Sequence, residues 1–412
     1  MTSPESHVAQ IRQLIGENTQ RTTEMLPVEQ SLGRITAKDI IAGFDSPRFN
    51  NSQMDGYAVP HAQGGRFEVA ETIAAGSQPG LLAGKAAPIM TGAAVPADAT
   101  VIIPVERTTP SEFLAPGEFV EVPAAEPGLF IRAQGSDVAD GSVIIPTGTV
   151  ISGAAVATLA SQSITQVEVI RPARIVICTG GAEIRAQAET AASNAQPDAS
   201  ASTIPDANAP MLRALAVRAG IDVVGHVSTN DDPQALTAAL HAAIAEFEPD
   251  AVVTSGGISA GKFEVVRQVL ESQLEIGPRE DSPREFSPWF GHVDQQPGGP
   301  QGLAVFDDVP FICLPGNPVS TLVSFRLFIA PVLGQMPQDS WAQLAKDTAG
   351  IARREQFRRG RIEHSADGTT LAHIIGGAGS HLISQAVEAT HLIRIPAGAK
   401  LVAGDVVQVY EL

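Results

Sequence analysis

Three polar turns carry the strongest chemical signal in the chain. They are Thr179-Gly180-Gly181, Ser255-Gly256-Gly257 and Pro315-Gly316-Asn317-Pro318, each directly after an apolar run that reads as a strand. Glycine lets the backbone approach a ligand closely and aim N–H groups at it. A helix that begins just after such a turn adds the partial positive charge of its first turn. Together these features would cradle an oxyanion or phosphate without any Lys or Arg. Any one of them alone is explained by a tight strand-to-helix connection. Three on one edge of one sheet are harder to explain that way. None is followed by Gly-Lys-Ser/Thr and none fits GxGxxG, so neither the Walker loop nor the dinucleotide fingerprint is present.

Carboxylates accompany the turns: Glu183 follows the first, Asp231 opens a helix after the next strand, and Glu264 follows the glycine pair at 256–257. If they converge, they suit a divalent ion such as Mg²⁺, which takes oxygen ligands and commonly bridges phosphates. The bland reading makes Asp231 an N-cap and the two glutamates solvated helix residues. No His/Cys set has zinc spacing. His292, His364, His373, His381 and His391 are scattered, and surface or satisfied-core roles suit each of them. Two further polar islands, Asn51 to Ala58 (NSQMDGYA) and Met90 to Ala93, would each pass as an ordinary loop if met alone.

The elements that must position these residues follow from the apolar spacing. Val8, Ile11, Leu14 and Ile15 recur at helical intervals within Glu5 to Asn18. From about Leu26 to Asp137, short apolar runs alternate with Gly and Pro, which reads as a small all-β region. Gly148 to Ser161 is helical in pattern again, so a helical domain with a β insertion is expected. Arg174 to Leu333 alternates strand and helix, which predicts a parallel sheet with helices on both faces. In such a sheet the ligand binds beyond the carboxyl ends of the strands, where all three turns sit. Ala188 to Ala209 and Gly277 to Gly302 are Pro/Gly-rich and carry no period, so both read as loops. Beyond Met336, short strands predict a β-barrel or sandwich.

Bulk properties narrow the function. The 412 residues exceed one ordinary core, so several domains are expected. The net charge of −18 argues against a nucleic-acid surface, which needs a basic stripe. No apolar run approaches a bilayer span, and no leader pattern opens the chain, so the cytoplasm is the expected location. Cys178 and Cys313 each lie in an apolar run and read as buried strand residues.

Placed in order, these segments resemble the molybdopterin molybdenumtransferases, the family of MoeA and the gephyrin E-domain. NSQMDGYAV at 51–59 resembles the family signature NSAMDGYA. Met90-Thr91-Gly92 with Val95-Pro96, then Arg132 to Asp137 with Gly141, resemble its MTG-A-x-VP and R-x-x-G-x-D elements. SGGISAG at 255–261 and LPGNPVS at 314–320 resemble two further strings, and Gly376 to Ser384 with Ala389 resembles the start of the C-terminal GS pattern. The resemblance runs from about residue 5 to the C-terminus. It implies a multidomain α/β and β chain: helical domain I (1–26 and 139–172), inserted β domain II (27–138), doubly wound α/β domain III related to the adenylyltransferases (173–333), and C-terminal β-barrel domain IV (334–412). It also implies a homodimer whose cleft lies between domain III of one subunit and domain II of the other.

The implied reaction takes adenylylated molybdopterin and molybdate, with Mg²⁺ as helper ion, releases AMP and leaves molybdenum on the dithiolene. The adenylyltransferase that supplies the substrate is a possible partner. By resemblance, Glu183, Asp231 and Glu264 hold metal or position water. Thr179, Gly180, Ser255, Gly256, Gly257, Pro315, Gly316, Asn317, Pro318 and Ser320 line the ligand site. Asp55, Thr91 and Asp137 complete it from the partner, with Asp55 in a catalytic role. Departures from the family pattern are specific. Its TGDE is Thr179-Gly180-Gly181-Ala182-Glu183 here, the Asp after SGGVS is Glu264, and the lysines of K-x-x-x-K-P-G-K-P give way to His292, Gln296 and Gly299. Lost charge weakens the grip on a polyanion unless Arg279 or Arg284 compensates. Two other readings therefore stand beside the enzyme: a diverged paralogue that binds the pterin ligand with little or no transfer, and a non-catalytic scaffold.

Overall fold

Alternation of apolar residues along the strands decides the main architecture. Ile175, Ile177, Val253, Ile312 and Leu314 pack into one hydrophobic cluster, while Val176, Cys178, Val252, Phe311 and Cys313 pack into a second. A sheet buried on both faces must carry helices on both. The computed structural model describes residues 2–18, 22–180, 184–185, 204–229, 232–258, 264–276, 286–335 and 339–412. It divides into two compact units: Met1–Arg21 with Pro172–Leu412, and Thr22–Arg171.

In the larger unit the central six-stranded sheet runs in the order Asp222–Thr229, Arg174–Gly180, Ala251–Ser255, Val309–Leu314, Pro300–Phe306, Trp289–His292. The first four strands are parallel and the last two antiparallel. Leu212 and Ala216 of helix Asn208–Arg218 cover one face, and Leu236, Leu240, Val269 and Leu270 of helices Pro233–Phe247 and Val265–Ile276 cover the other. Fully burying one such leucine contributes roughly 1.5–3 kcal/mol. The expected parallel sheet is present, and the antiparallel edge is new. Trp289–His292 lies in the stretch read from sequence as a patternless loop, 277–302, and Pro300–Phe306 begins there. Gly and Pro break the period there, and pairing with Val309–Leu314 supplies the order.

A second correction concerns a helix start. The N-cap of Pro233–Phe247 is Asp232, whose carboxylate accepts from the N–H groups of Gln234 and Ala235 at 2.9 and 3.3 Å. Pro233 occupies the first helical turn, so the residue directly before it takes the cap rather than Asp231.

The C-terminal strands close into a barrel, because Glu355–His364 pairs with both Thr370–Ile374 and His391–Ile395. Its interior holds Leu344, Ile393, Ile395, Val407 and Val409. Gln295–Gln296 adds one short parallel strand to Glu355–Gln356, which ties the central sheet to the barrel.

The smaller unit is mostly strand. Gly56–Val59 lies buried between Ala87–Ile89 and Val101–Pro104. Gly153–Ser161, capped by Ser152, is its α-helix among the described residues. Thr23–Pro27 pairs with Gln166–Ile170, so strands join the end of the 1–26 segment to 139–172. The helix Pro4–Asn18 packs in the larger unit, where Ile11 and Leu14 are buried with Val293 and Phe328. Its apolar stripe finds a large hydrophobic partner there.

That helix also buries His7 completely, edge-on to Phe328 at 4.7 Å between ring centres and 5.3 Å from Trp289. Burial pushes the imidazole pKa down to about 4, offset only in part by the Gln10 side chain. At neutral pH the ring is uncharged in both folded and unfolded chains. As pH falls below 6.5 the unfolded chain gains a proton that the fold refuses, and stability is lost until the native ring titrates near 4. The expected loss from this one group at pH 5 is about 2 kcal/mol. His7→Leu should remove that share of the acid sensitivity, as read from urea midpoints of both proteins at pH 7 and pH 5. Equal acid sensitivity in the two proteins would contradict the assignment.

Candidate functional site

The order of the parallel strands reverses between Arg174–Gly180 and Ala251–Ser255. The chain leaves the first strand toward Asp222–Thr229 and then crosses back to the second. A crevice opens at such a switch point. Here it is a cleft of about 1440 Å³, floored by Gly180, Ser255 to Ile258 and Pro315 to Pro318 and walled by residues from 295–300 and 378–381.

The three turns touch one another. A β-carbon on Gly256 would lie 3.6 Å from the Gly180 carbonyl oxygen and 3.7 Å from the Gly316 α-carbon. One on Gly180 would lie 2.4 Å from the Thr229 carbonyl oxygen, so no side chain fits. Side chains then lock the turns together. Thr321 donates its hydroxyl to the Pro315 carbonyl at 2.7 Å, and Ser255 Oγ lies 2.9 Å from Thr321 Oγ1. Asn208 Nδ2 donates to the Gly316 carbonyl at 2.7 Å.

Asp206 governs the wall beside the first turn. Its Oδ1 accepts the N–H groups of Asn208 and Ala209 at 2.8 and 3.0 Å, and its Oδ2 accepts the Thr179 hydroxyl at 2.6 Å. Thr179 Oγ1 also lies 2.8 Å from His226 Nε2. The threonine has one hydroxyl hydrogen and gives it to the carboxylate, so His226 must be the donor, which sets its tautomer. Burial holds His226 below its ordinary pKa, in keeping with a neutral ring.

Of the residues singled out from sequence, Gly180, Ser255, Gly256, Gly257, Glu264, Pro315, Gly316, Asn317, Pro318 and Ser320 all line this one cleft. Thr179 sits just behind it, buried. Glu183 and Asp231 lie outside the described residues, as do Arg279 and Arg284. Asp206, Asn208, Arg354, Ser380 and His381 also line the cleft and were not singled out. Asp206 and Asn208 carried a faint signal as a polar helix start. Ser380 and His381 lie in the 376–384 segment that resembles the GS pattern, though neither was given a site role, and Arg354 carried no signal.

In the smaller unit, three motif segments are woven together. Ile131–Arg132 pairs with Asn51–Ser52, and Ser52 exchanges backbone hydrogen bonds with Gly92 and Ala93 at 2.8 and 3.0 Å. Asp55 accepts both the N–H and the hydroxyl of Thr91, at 2.6 and 2.7 Å. These bonds hold the exposed Asp55 carboxyl below its ordinary range. Asp137 is exposed nearby in the chain, with its N–H on the Ser46 carbonyl at 2.9 Å.

Comparison with known proteins covers nearly the whole chain. Residues 2–163 match the MoeA N-terminal region (domain I and II), 175–335 a probable molybdopterin binding domain, and 342–412 the MoeA C-terminal region (domain IV). Molybdopterin molybdenumtransferase 2 of Mycobacterium tuberculosis is 33% identical over 407 residues, covering 94% of each chain. The chain belongs to the molybdopterin molybdenumtransferase family. A Nostoc member is 30% identical over 88% of this chain and 82% of its own. The crystal structure of the MoeA protein from Pyrococcus horikosii superimposes with a TM-score of 0.77 at 25% identity, covering 98% of both chains. This family member is thus a transferase of molybdenum cofactor biosynthesis. Among the described residues, no helix is long and apolar enough to cross a membrane.

The described residues contain no group of three or more His, Cys, Asp or Glu arranged for a metal ion. Glu264 faces the cleft, while the Asp206 oxygens are already committed to Thr179 and two N–H groups. One carboxylate with ligand phosphates fits the sparse protein coordination that Mg²⁺ accepts.

Asp206→Ala should remove the cap of helix 208–218 and the Thr179 bond together. The expected cost is about 1–3 kcal/mol in unfolding free energy. Asp206→Asn should lose less, because the amide oxygen still accepts from the helix N–H groups. Equal stability of wild type and Asp206→Ala in denaturant melts would show that the network carries no load.

Proposed function

We propose that the cleft binds adenylylated molybdopterin together with molybdate and transfers molybdenum to the dithiolene with release of AMP. The observation that supports this most is the junction of three glycine turns at the sheet switch point. It brings side-chain-free backbone to the floor of the cleft, where a phosphate can approach the main chain closely.

Water attacks a phosphorus of the phosphoanhydride, the bond to the bridging oxygen breaks, and AMP leaves while the pterin keeps its own phosphate. The two dithiolene thiols then displace one oxo ligand of molybdate, which leaves as water with both thiol protons, so that molybdenum is held by the two sulfurs. Glu183 or Asp231 orients the water and takes up its proton. The turns at 180, 256–257 and 315–318, with Ser320, hold the phosphate oxygens. Mg²⁺, held by Glu264 with Glu183 and Asp231, would offset phosphate charge as AMP departs. Asp55, Thr91 and Asp137 come from the second subunit of a homodimer. Their support is that the bonds between Asp55 and Thr91, and between their two loops, build one prepared polar surface. The protein works in the cytoplasm, next to the adenylyltransferase that makes its substrate.

A diverged paralogue without transfer is the second reading. It is favoured by Gln296, which stands where the family has lysine and whose Oε1 is occupied by Gln356 Nε2 at 2.9 Å.

A reconstitution separates the two. Purified protein is mixed with adenylylated molybdopterin, molybdate and Mg²⁺, and AMP is followed. Turnover is expected, and Glu183→Ala and Asp231→Ala should each lower it about a hundredfold with the dimer intact. Tight ligand binding without AMP release would favour the paralogue. Full activity in both variants would remove the metal and water roles assigned to these carboxylates.

A further inference from the structure

The segment that carries lysines in the family has none here, its ionisable residues being His292 and Asp294, and the structure shows how its glutamines are used. Gln295, fully buried, spends its Nε2 on the Pro297 and Gly298 carbonyls, both at 3.1 Å. Gln296 accepts from Gln356 through its Oε1. Neither brings charge to the cleft they line.

The same ladder brings a cation. Gln295–Gln296 runs in parallel register with Glu355–Gln356, which sets Arg354 at the cleft rim beside the 295–299 turn. Arg354 is exposed and forms no ion pair or hydrogen bond among the described residues. Arg353 is exposed beside it but does not line the cleft, and the next arginines of the barrel are committed elsewhere. Arg358 and Arg359 hold the carbonyls of Gly376, Gly377 and Leu382. Arg394 holds Glu355 through two bonds of 2.6 and 2.7 Å, so the carboxylate next to Arg354 is already neutralised. Of the two acids in the cleft, Asp206 is saturated by Thr179 and helix N–H groups.

We infer that Arg354 binds the phosphate of the nucleotide ligand, so that the charge the family places on the 292–300 segment is supplied here from the barrel strand paired with it. This rests on the reading of the cleft as a site for an adenylylated ligand. A guanidinium offers a planar fork of N–H donors that meets two phosphate oxygens at once, which an ammonium cannot do. Arg354 is thus a binding residue that sets affinity for the anion.

The test is equilibrium binding of AMP to full-length protein. Arg354→Gln should weaken AMP roughly ten- to hundredfold and flatten the salt dependence of what binding remains. Arg354→Lys should fall between wild type and Arg354→Gln. Adding Gln296→Lys to Arg354→Gln should recover part of the loss, because charge returns to the other strand of the same ladder. Wild-type affinity in Arg354→Gln would overturn the inference. So would equal losses in the Lys and Gln variants with no rescue, since that pattern marks a structural role. Absence of AMP binding to wild type would instead sink the nucleotide reading itself, and this inference with it.

Discussion

Contact between the backbones of three strand ends constrains the site more than any side chain does. Gly180, Gly256 and Gly316 come from strands far apart in the chain and approach until the space between them is about one side chain wide. Gly180 has φ +134° and Gly256 φ +97°, conformations that other residues rarely adopt. Gly180 is therefore required twice, once by conformation and once by space, and Gly256 by conformation. The same close approach leaves backbone groups in need of partners: Asn208 and Thr321 bond the Gly316 and Pro315 carbonyls, and the Gly256 N–H is taken by the Leu314 carbonyl.

The barrel does more than terminate the chain. It supplies one wall of the cleft through 378–381, and the backbone there is fixed by Arg359, which donates to the carbonyls of Gly377 and Leu382. Ser380 accepts the Val319 N–H at 3.2 Å, directly after the PGNP turn. The two-residue strand at 295–296 binds barrel and central sheet into one ladder. A pocket lined from both layers in this way has its polar groups held by hydrogen bonds on each side, which limits how far they can shift when an anion arrives.

The smaller unit shows the same economy on another scaffold. Its three motif segments look like separate loops in the sequence, yet they share backbone hydrogen bonds around Ser52, and Asp55 is held by Thr91. A carboxylate held by two donors stays ionised to lower pH than a free one, so this surface keeps its charge across the neutral range.

The strands and helices around the three turns were legible in the sequence because period and punctuation are local. An apolar run of five to seven residues ending in glycine has few alternatives. Ten of the expected cleft residues could be gathered for the same reason, since all follow strands of one parallel sheet. Three features needed the tertiary structure. The antiparallel edge strands at 289–306 exist because Val309–Leu314 offers them an edge to pair with. The helix Pro4–Asn18 joins the larger unit because the deepest apolar surface available to its stripe is there. Arg354 enters the cleft because a distant barrel strand pairs with Gln295–Gln296, and His381 because Arg359 and the Val319–Ser380 bond hold its segment there. Local spacing can specify what each strand end offers to a ligand, but pairing between remote segments leaves no trace in spacing, so which other side chains arrive there is decided by the assembled fold.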